Sequence, residues 1–145
     1  KRVDIVVIND GEASMLAGMD NVVAAARAVQ EMASIPTLIV KRGEHGVIAL
    51  HGEETIAMPS YPCSKVIDPT GCGDTFAGAL AACLSSGRGE MTVEELRIAL
   101  SHATVTASFT LEEFGTTILE KISQDAYQQR YNSFCRISGI SIESS

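Results

Sequence analysis

The chain has 145 residues, the length of one ordinary domain or of part of a larger one. Apolar residues make up 46% and charged residues 20%, which suits a packed core and argues against disorder. Eighteen acidic side chains against eleven Lys and Arg give a net charge of −7, so no basic field is available for gripping nucleic acid. No apolar run approaches the ~18 residues that span a bilayer, and no basic-then-apolar leader opens the sequence. A soluble, cytoplasmic protein without a membrane partner is expected. Cys63, Cys72, Cys83 and Cys135 show no C-x-x-C pair and no zinc-type interval to a histidine, so buried reduced thiols are expected.

The sequence opens on Lys1, not Met, and runs directly into Val3–Ile8, a nearly continuous β-branched stretch. That pattern predicts a strand in the middle of a parallel sheet, as in a piece of a longer protein. Asn9-Asp10-Gly11 ends it, a helical turn covers Glu12–Leu16, and Gly18 closes that turn. Asp20 and Asn21 cap a helix from Val22 to about Ala33, with Val22, Ala25, Ala26, Val29 and Met32 as its inward stripe. After Pro36, Thr37–Val40 is the next strand, so the first forty residues form a β-α-β unit with parallel strands. Val47–Leu50 and Glu54–Met58 form a hairpin through His51-Gly52-Glu53. Val66-Ile67 is short and extended. A small-residue helix follows from Asp74 to about Leu84, ended by Ser85-Ser86-Gly87. Thr92 and Glu95 make a capping box for a helix through Ala107, and a last helix runs from about Gln124 to Phe134. The class is α/β in one domain, with helices on both faces of a sheet.

The stretch richest in chemistry is Asp68-Pro69-Thr70-Gly71-Cys72-Gly73-Asp74-Thr75-Phe76-Ala77-Gly78. Two glycines bracket one residue where a loop becomes a helix. Without Cβ atoms at Gly71 and Gly73, the backbone can take unusual dihedral angles and let an anion approach its N–H groups. The helix adds about half a positive charge at its N-terminus. Together these make an anion hole without a basic side chain. Asp74, in the first helical turn, is a carboxylate at the mouth of that hole and can accept the proton of an alcohol while a phosphoryl group is transferred. The plainer alternative is a tight turn with Asp74 only complementing the helix dipole. The loop has neither the lysine of G-x-x-x-x-G-K-[ST] nor the third glycine of G-x-G-x-x-G, where Phe76 stands.

This stretch resembles the second signature, D-T-x-G-A-G-D-x-F, of the PfkB carbohydrate kinases, the ribokinase-like family. Asn9-Asp10-Gly11-Glu12 is similar to the family's N-x-x-E motif. Val40-Lys41-Arg42-Gly43-Glu44-His45-Gly46 resembles its nucleotide loop, and Ala107-Ser108-Phe109 to Phe114-Gly115 its late helix and closing loop. The match runs from about residue 3 to 134. It implies a three-layer α-β-α, Rossmann-like ribokinase fold that is incomplete. The family's N-terminal half and small β lid, which carry most sugar contacts, are absent. The 145 residues would then be the C-terminal, nucleotide-binding part of a kinase domain.

The resemblance implies Asp74 as the base, with the N–H groups of Gly71, Cys72, Gly73 and Asp74 as the hole for the phosphoryl transferred from ATP. Asn9 and Glu12 would organise Mg²⁺ and its waters. Lys41, Gly43 and Gly46 would lie along the nucleotide, and His102 where the family often has an Asn near the adenine. Asp68 and Thr70 match residues that bind a monovalent cation such as K⁺ in some members, together with carbonyls near Gly115. Cys72 stands for the usual Ala, which an amide-based hole tolerates; Pro69 stands for a common Thr and lacks an N–H. The acceptor implied is a sugar or sugar-like alcohol. The alternatives are a nucleoside, adenosine-type, kinase or a nucleotide-binding fragment without activity of its own.

Each residue also has a plainer reading. Glu12 can be a helix-start charge. Lys41-Arg42 can be a solvated pair, His102 an ordinary half-buried histidine, and Glu112-Glu113 a solvated acidic pair. Tyr127, Tyr131 and Phe134 at helical spacing read as core or as a subunit contact in a homodimer.

Overall fold

Alternating side chains of three strands put Val6, Ile8, Leu38, Val40, Ile48 and Leu50 on a single face, and this face carries the first core. The computed structural model describes residues 3–85, 91–112 and 117–141. By its internal packing the chain divides into two units, residues 1–60 and 61–145.

The first unit runs β1 (Ile5–Asn9), α1 (Asp10–Ala17), α2 (Val22–Ala33), β2 (Thr37–Lys41), a 3₁₀ turn (Gly43–His45), β3 (Val47–His51) and β4 (Glu54–Met58). The sheet order is β1-β2-β3-β4, with β1 and β2 parallel and the other pairs antiparallel. The β-α-β unit and the hairpin expected from the sequence are both present. Ala13 of α1 and Ala25, Ala26 and Val29 of α2 pack onto the face named above. Small side chains there let the helix backbones lie close to the strands. The opposite face is also apolar: Ile39, Val47, Ala49, Ile56 and Met58 are all buried.

Among the described residues β1 pairs with β2 alone, and Ile5–Ile8 are half-buried. One expectation changes. Met32, placed on the inward stripe of α2, is 66% exposed, whereas Gln30 is buried. The inward face is turned toward the β3–β4 hairpin, and this is where Arg27 acts. Its Nη1 donates to Gln30 Oε1 (3.0 Å) and Gly52 O (2.8 Å), and its Nη2 to Glu53 O (2.9 Å) and Thr55 Oγ1 (2.8 Å). One guanidinium fork thereby ties the hairpin turn to α2.

The second unit is helical: α3 (Cys72–Leu84), α4 (Val93–Thr110), α5 (Thr117–Lys121) and α6 (Gln124–Ser138). The T-x-x-E capping box forms as expected, with Thr92 Oγ1 accepting from Glu95 N and Glu95 Oε2 accepting from Thr92 N. Helix α4 is buried on several sides, through Leu96, Ala99, Leu100, Ala103, Val105, Ala107 and Phe109. Its buried hydroxyls turn back onto the helix, Ser108 donating to Val105 O (2.6 Å) and Thr110 to Ala107 O (2.7 Å). Val66-Ile67 forms no strand, α3 starts two residues earlier than expected, and α5 is an additional element. None of the four cysteines is in a disulfide; Cys135 is buried, while Cys63, Cys72 and Cys83 are half-buried. Ser86 and Gly87, the expected end of α3, lie outside the described residues. No helix among the described residues is long and apolar enough to cross a membrane.

Gly46 is required by its backbone and by its surroundings. Its φ is +87° with ψ −140°, and an added Cβ would fall on the Met58 carbonyl oxygen and 2.7 Å from the Pro59 carbonyl carbon. Gly43, at φ +54°, has open space around it. Gly43→Ala should therefore cost about 1 kcal/mol, and Gly46→Ala about 3 kcal/mol or more, since strain and overlap add. Urea unfolding of the two variants checks the order; equal losses would refute it. Arg27→Met should cost about 1–2 kcal/mol, by release of the hairpin turn, and hydrogen exchange should show the loss at Gly52–Thr55 first.

Candidate active site

Residues singled out in the sequence fall in both units. In the first, the carboxyl ends of two parallel strands bring two of the motifs together. The β1–β2 register pairs Asn9 with Lys41, so the N-x-x-E segment and the glycine-containing loop leave the sheet side by side. Strand ends of this kind, where helices and loops begin, are the usual location of ligand sites in α/β sheets.

Asn9 is the N-cap of α1. Its Oδ1 accepts from Glu12 N (2.8 Å), and Glu12 Oε2 accepts from Asn9 N (2.8 Å), a complete capping box. The plainer reading of Glu12 as a helix-start charge thus describes its contacts in this structure. Asp10 Oδ1 also accepts from Gly11 N (2.9 Å). Both Asn9 and Glu12 are exposed, and the box engages Oε2 of the Glu12 carboxylate. Among the described residues no group of three or more His, Cys, Asp or Glu is gathered. The donor set fits an ion that keeps most of its waters and takes one carboxylate plus phosphate oxygens, as Mg²⁺ does.

Beyond Lys41 the chain turns through Gly43–His45, closed by Arg42 N donating to Gly46 O (2.8 Å). Ser60 Oγ donates to Glu44 O (2.6 Å) and fixes the loop from outside. Lys41 and Arg42 are half-buried, and Arg42 Nε is buried without a hydrogen-bond partner among the described residues. The pair is therefore not simply solvated.

In the second unit, Asp68 Oδ1 accepts from Thr70 N (2.9 Å). Hydrogen bonds from the Thr70 hydroxyl and amide hold the Asp68 carboxyl below its ordinary value. Gly71 follows at φ +81°, ψ −8°, and is the N-cap of α3 without any side-chain cap. Its carbonyl accepts the first helical bond, from Thr75 N at 2.9 Å. A residue with a Cβ would be strained at that φ. Gly73 takes ordinary helical angles inside α3, so only the first of the two glycines needs a special conformation.

Four bare amides were expected here. The Cys72 amide donates to Pro69 O at 3.2 Å, a long bond that takes it out of the set. Among the described residues no acceptor is found for the amides of Gly73 and Asp74, in the first turn of the helix. The Asp74 side chain is exposed in that turn.

His102 lies in α4 within an aromatic stack. Its ring is 4.2 Å from that of Tyr131 and nearly parallel to it, and its Nδ1 shares a 2.7 Å hydrogen bond with Tyr127 OH. Burial pushes its imidazole below the ordinary histidine value. These contacts are those of a half-buried structural histidine. Tyr127, Tyr131 and the fully buried Phe134 are likewise packed inside this unit.

One group was overlooked in the sequence. Arg130 donates through Nη2 to both Glu112 carboxylate oxygens (3.0 and 2.9 Å) and through Nη1 to Ser108 Oγ (3.1 Å). Its guanidinium lies 3.7 Å from the Phe109 ring centroid and 5.1 Å from that of Tyr61. Glu112, read as half of a solvated pair, is thus an ion-pair partner. Arg130 shares the helical face of Tyr127, Tyr131 and Phe134, a spacing signal that could have flagged it. Glu113, Phe114 and Gly115, which complete the closing loop, lie outside the described residues.

The chain is 40% identical over 89 residues to cytidine kinase from Thermococcus kodakarensis, a match covering 60% of this chain and 31% of that protein. It is 30% identical over 138 residues to a bifunctional ribokinase/ribose-5-phosphate isomerase A from Fructilactobacillus sanfranciscensis, covering 86% and 24%. Fructokinase from Vibrio cholerae O395, solved with fructose, ADP and calcium ion bound, superposes with a TM-score of 0.77 at 22% identity, over 89% of this chain and 41% of that one. The chain therefore spans between a quarter and two fifths of these relatives, and its α/β fold is that of ribokinase-type kinases. The profile of the pfkB family carbohydrate kinases matches residues 1–122, and the chain belongs to that family.

Proposed function

We propose that this chain is the nucleotide-binding part of an ATP-dependent kinase that moves the γ-phosphoryl group to a hydroxyl of a sugar or sugar-like substrate. The observation that carries this reading is the Gly71-capped start of α3. Two amides there lack an acceptor among the described residues, and an exposed carboxylate, Asp74, stands in the same turn.

Asp74 accepts the proton of the substrate hydroxyl as its oxygen bonds to the γ-phosphorus and the bond to the β–γ bridging oxygen breaks, releasing ADP. The amides of Gly73 and Asp74 hydrogen-bond the equatorial oxygens, on which negative charge rests in the transition state. Backbone dipoles suit a chain of net charge −7, because they attract phosphate without adding a competing cation. Asn9 and Glu12 would hold Mg²⁺ through its waters, and the ion would supply positive charge against that of the phosphates. Lys41, Gly43 and Gly46 line the nucleotide in this reading. Asp68, kept ionised by Thr70, has the negative charge that a monovalent cation such as K⁺ requires.

A second reading, a nucleoside kinase, is favoured by the 40% identity to a cytidine kinase. A panel of sugars and nucleosides assayed with the full-length protein separates the two. Mg·ATP binding by the 145-residue chain without turnover supports its assignment as the nucleotide-binding part.

Asp74→Asn in the full-length protein should leave ATP affinity within about threefold and lower turnover by about 10²–10⁴. An unchanged rate would remove Asp74 from the role of base. Loss of ATP binding would show that its part is structural.

A further inference from the structure

We propose that Arg130 is a positioning residue for the phosphate-binding turn. This rests on the reading of Gly71–Asp74 as the anion hole. Helix α4 ends near Thr110, where Phe109 O accepts from Glu112 N (3.2 Å) and Ala107 O from the Thr110 hydroxyl (2.7 Å). Residues 63–72 add three further donors at this end. Cys72 Sγ donates to Ala107 O (3.6 Å), Cys63 Sγ to Ser108 O (3.7 Å) and Ile67 N to Leu111 O (2.7 Å).

Thiols are weak donors. The register of the 63–72 segment on α4 therefore depends mainly on the short bond to Leu111 O. Leu111 lies between Phe109 and Glu112, and Arg130 holds both: it stacks on the Phe109 ring and forms a bidentate pair with Glu112. The same guanidinium binds the Ser108 hydroxyl and lies over Tyr61, where the segment begins. One side chain from α6 thus fixes the carbonyl platform and the start of the segment docked on it. The Arg130 side chain is only 16% exposed, so its fork is held in a partly dry setting where bidentate geometry counts most. Lysine cannot reproduce the fork or the stacked plane.

The test compares wild type, Arg130→Met, Arg130→Lys, Glu112→Gln and a control far along the chain, Arg27→Met. Iodoacetamide labelling of Cys72 in the native protein, read by peptide mass spectrometry, reports whether the turn is docked. Calorimetry with ATP and with ADP reports the hole, because only ATP carries the γ-phosphoryl. Arg130→Met should speed Cys72 labelling about tenfold and weaken ATP about tenfold, with ADP changed by less than about twofold. Arg130→Lys should fall between wild type and Arg130→Met on both readouts. Arg27→Met should lower the melting temperature without moving either.

If Arg130→Met lowers the melting temperature while Cys72 labelling and the ATP-to-ADP affinity ratio stay as in Arg27→Met, Arg130 is structural only and the proposal fails. Should Arg130→Met not fold, Glu112→Gln decides, with about threefold effects expected from loss of the ion pair alone. A wild type that binds ATP no better than ADP overturns the anion-hole reading instead, and Cys72 labelling alone then decides whether Arg130 positions the turn.

Discussion

A helix that ends inside a protein leaves carbonyls that its own backbone cannot satisfy, and the end of α4 is where the second unit meets that constraint. The chain meets part of it with donors from residues 63–72: the Cys63 thiol, the Ile67 amide and the thiol of Cys72 at the start of α3. That pairing places Gly71, and Gly71 in its left-handed conformation sets where α3 begins. The position of the Gly73 and Asp74 amides is therefore settled by a helix about thirty residues later in the chain.

In the first unit the corresponding constraint is strand order. Parallel pairing of β1 with β2 puts Asn9 beside Lys41, at the end of the sheet where both chains turn away. Each motif is then shaped locally. Asn9 and Glu12 close a capping box, while Gly46 turns where the Met58 carbonyl leaves no room for a side chain. The capping box engages Oε2 of Glu12 and leaves Oε1 of this exposed carboxylate outside it.

Two arginines do comparable work in the separate units. Arg27 binds a hairpin turn to α2, and Arg130 binds the end of α4 to α6 and to Tyr61. A planar fork with five donors can satisfy several carbonyl or carboxylate oxygens at once, and so one residue can hold a loop that has little apolar surface to bury. In an acidic chain such positively charged tethers are few, and each also offsets local negative charge, as Arg130 does for Glu112.

Features written in short-range spacing were legible in the sequence. The Thr92–Glu95 box, the Asn21 cap, the hairpin over residues 47–58 and the Gly71-x-Gly73-Asp74 turn depend on residues within a few positions of one another, where backbone geometry leaves few choices. What lay beyond that range was not. The stacking of His102 on Tyr131, the exposure of Met32 and the contacts of Arg130 with Ser108 and Glu112 all depend on how elements meet. The sequence by itself determined most of the secondary elements and the left-handed turn at Gly71, because both follow from local dihedral preferences and hydrogen-bond reach. Only the tertiary structure decided which polar groups were already occupied, because a donor separated by tens of residues from its acceptor finds it through packing.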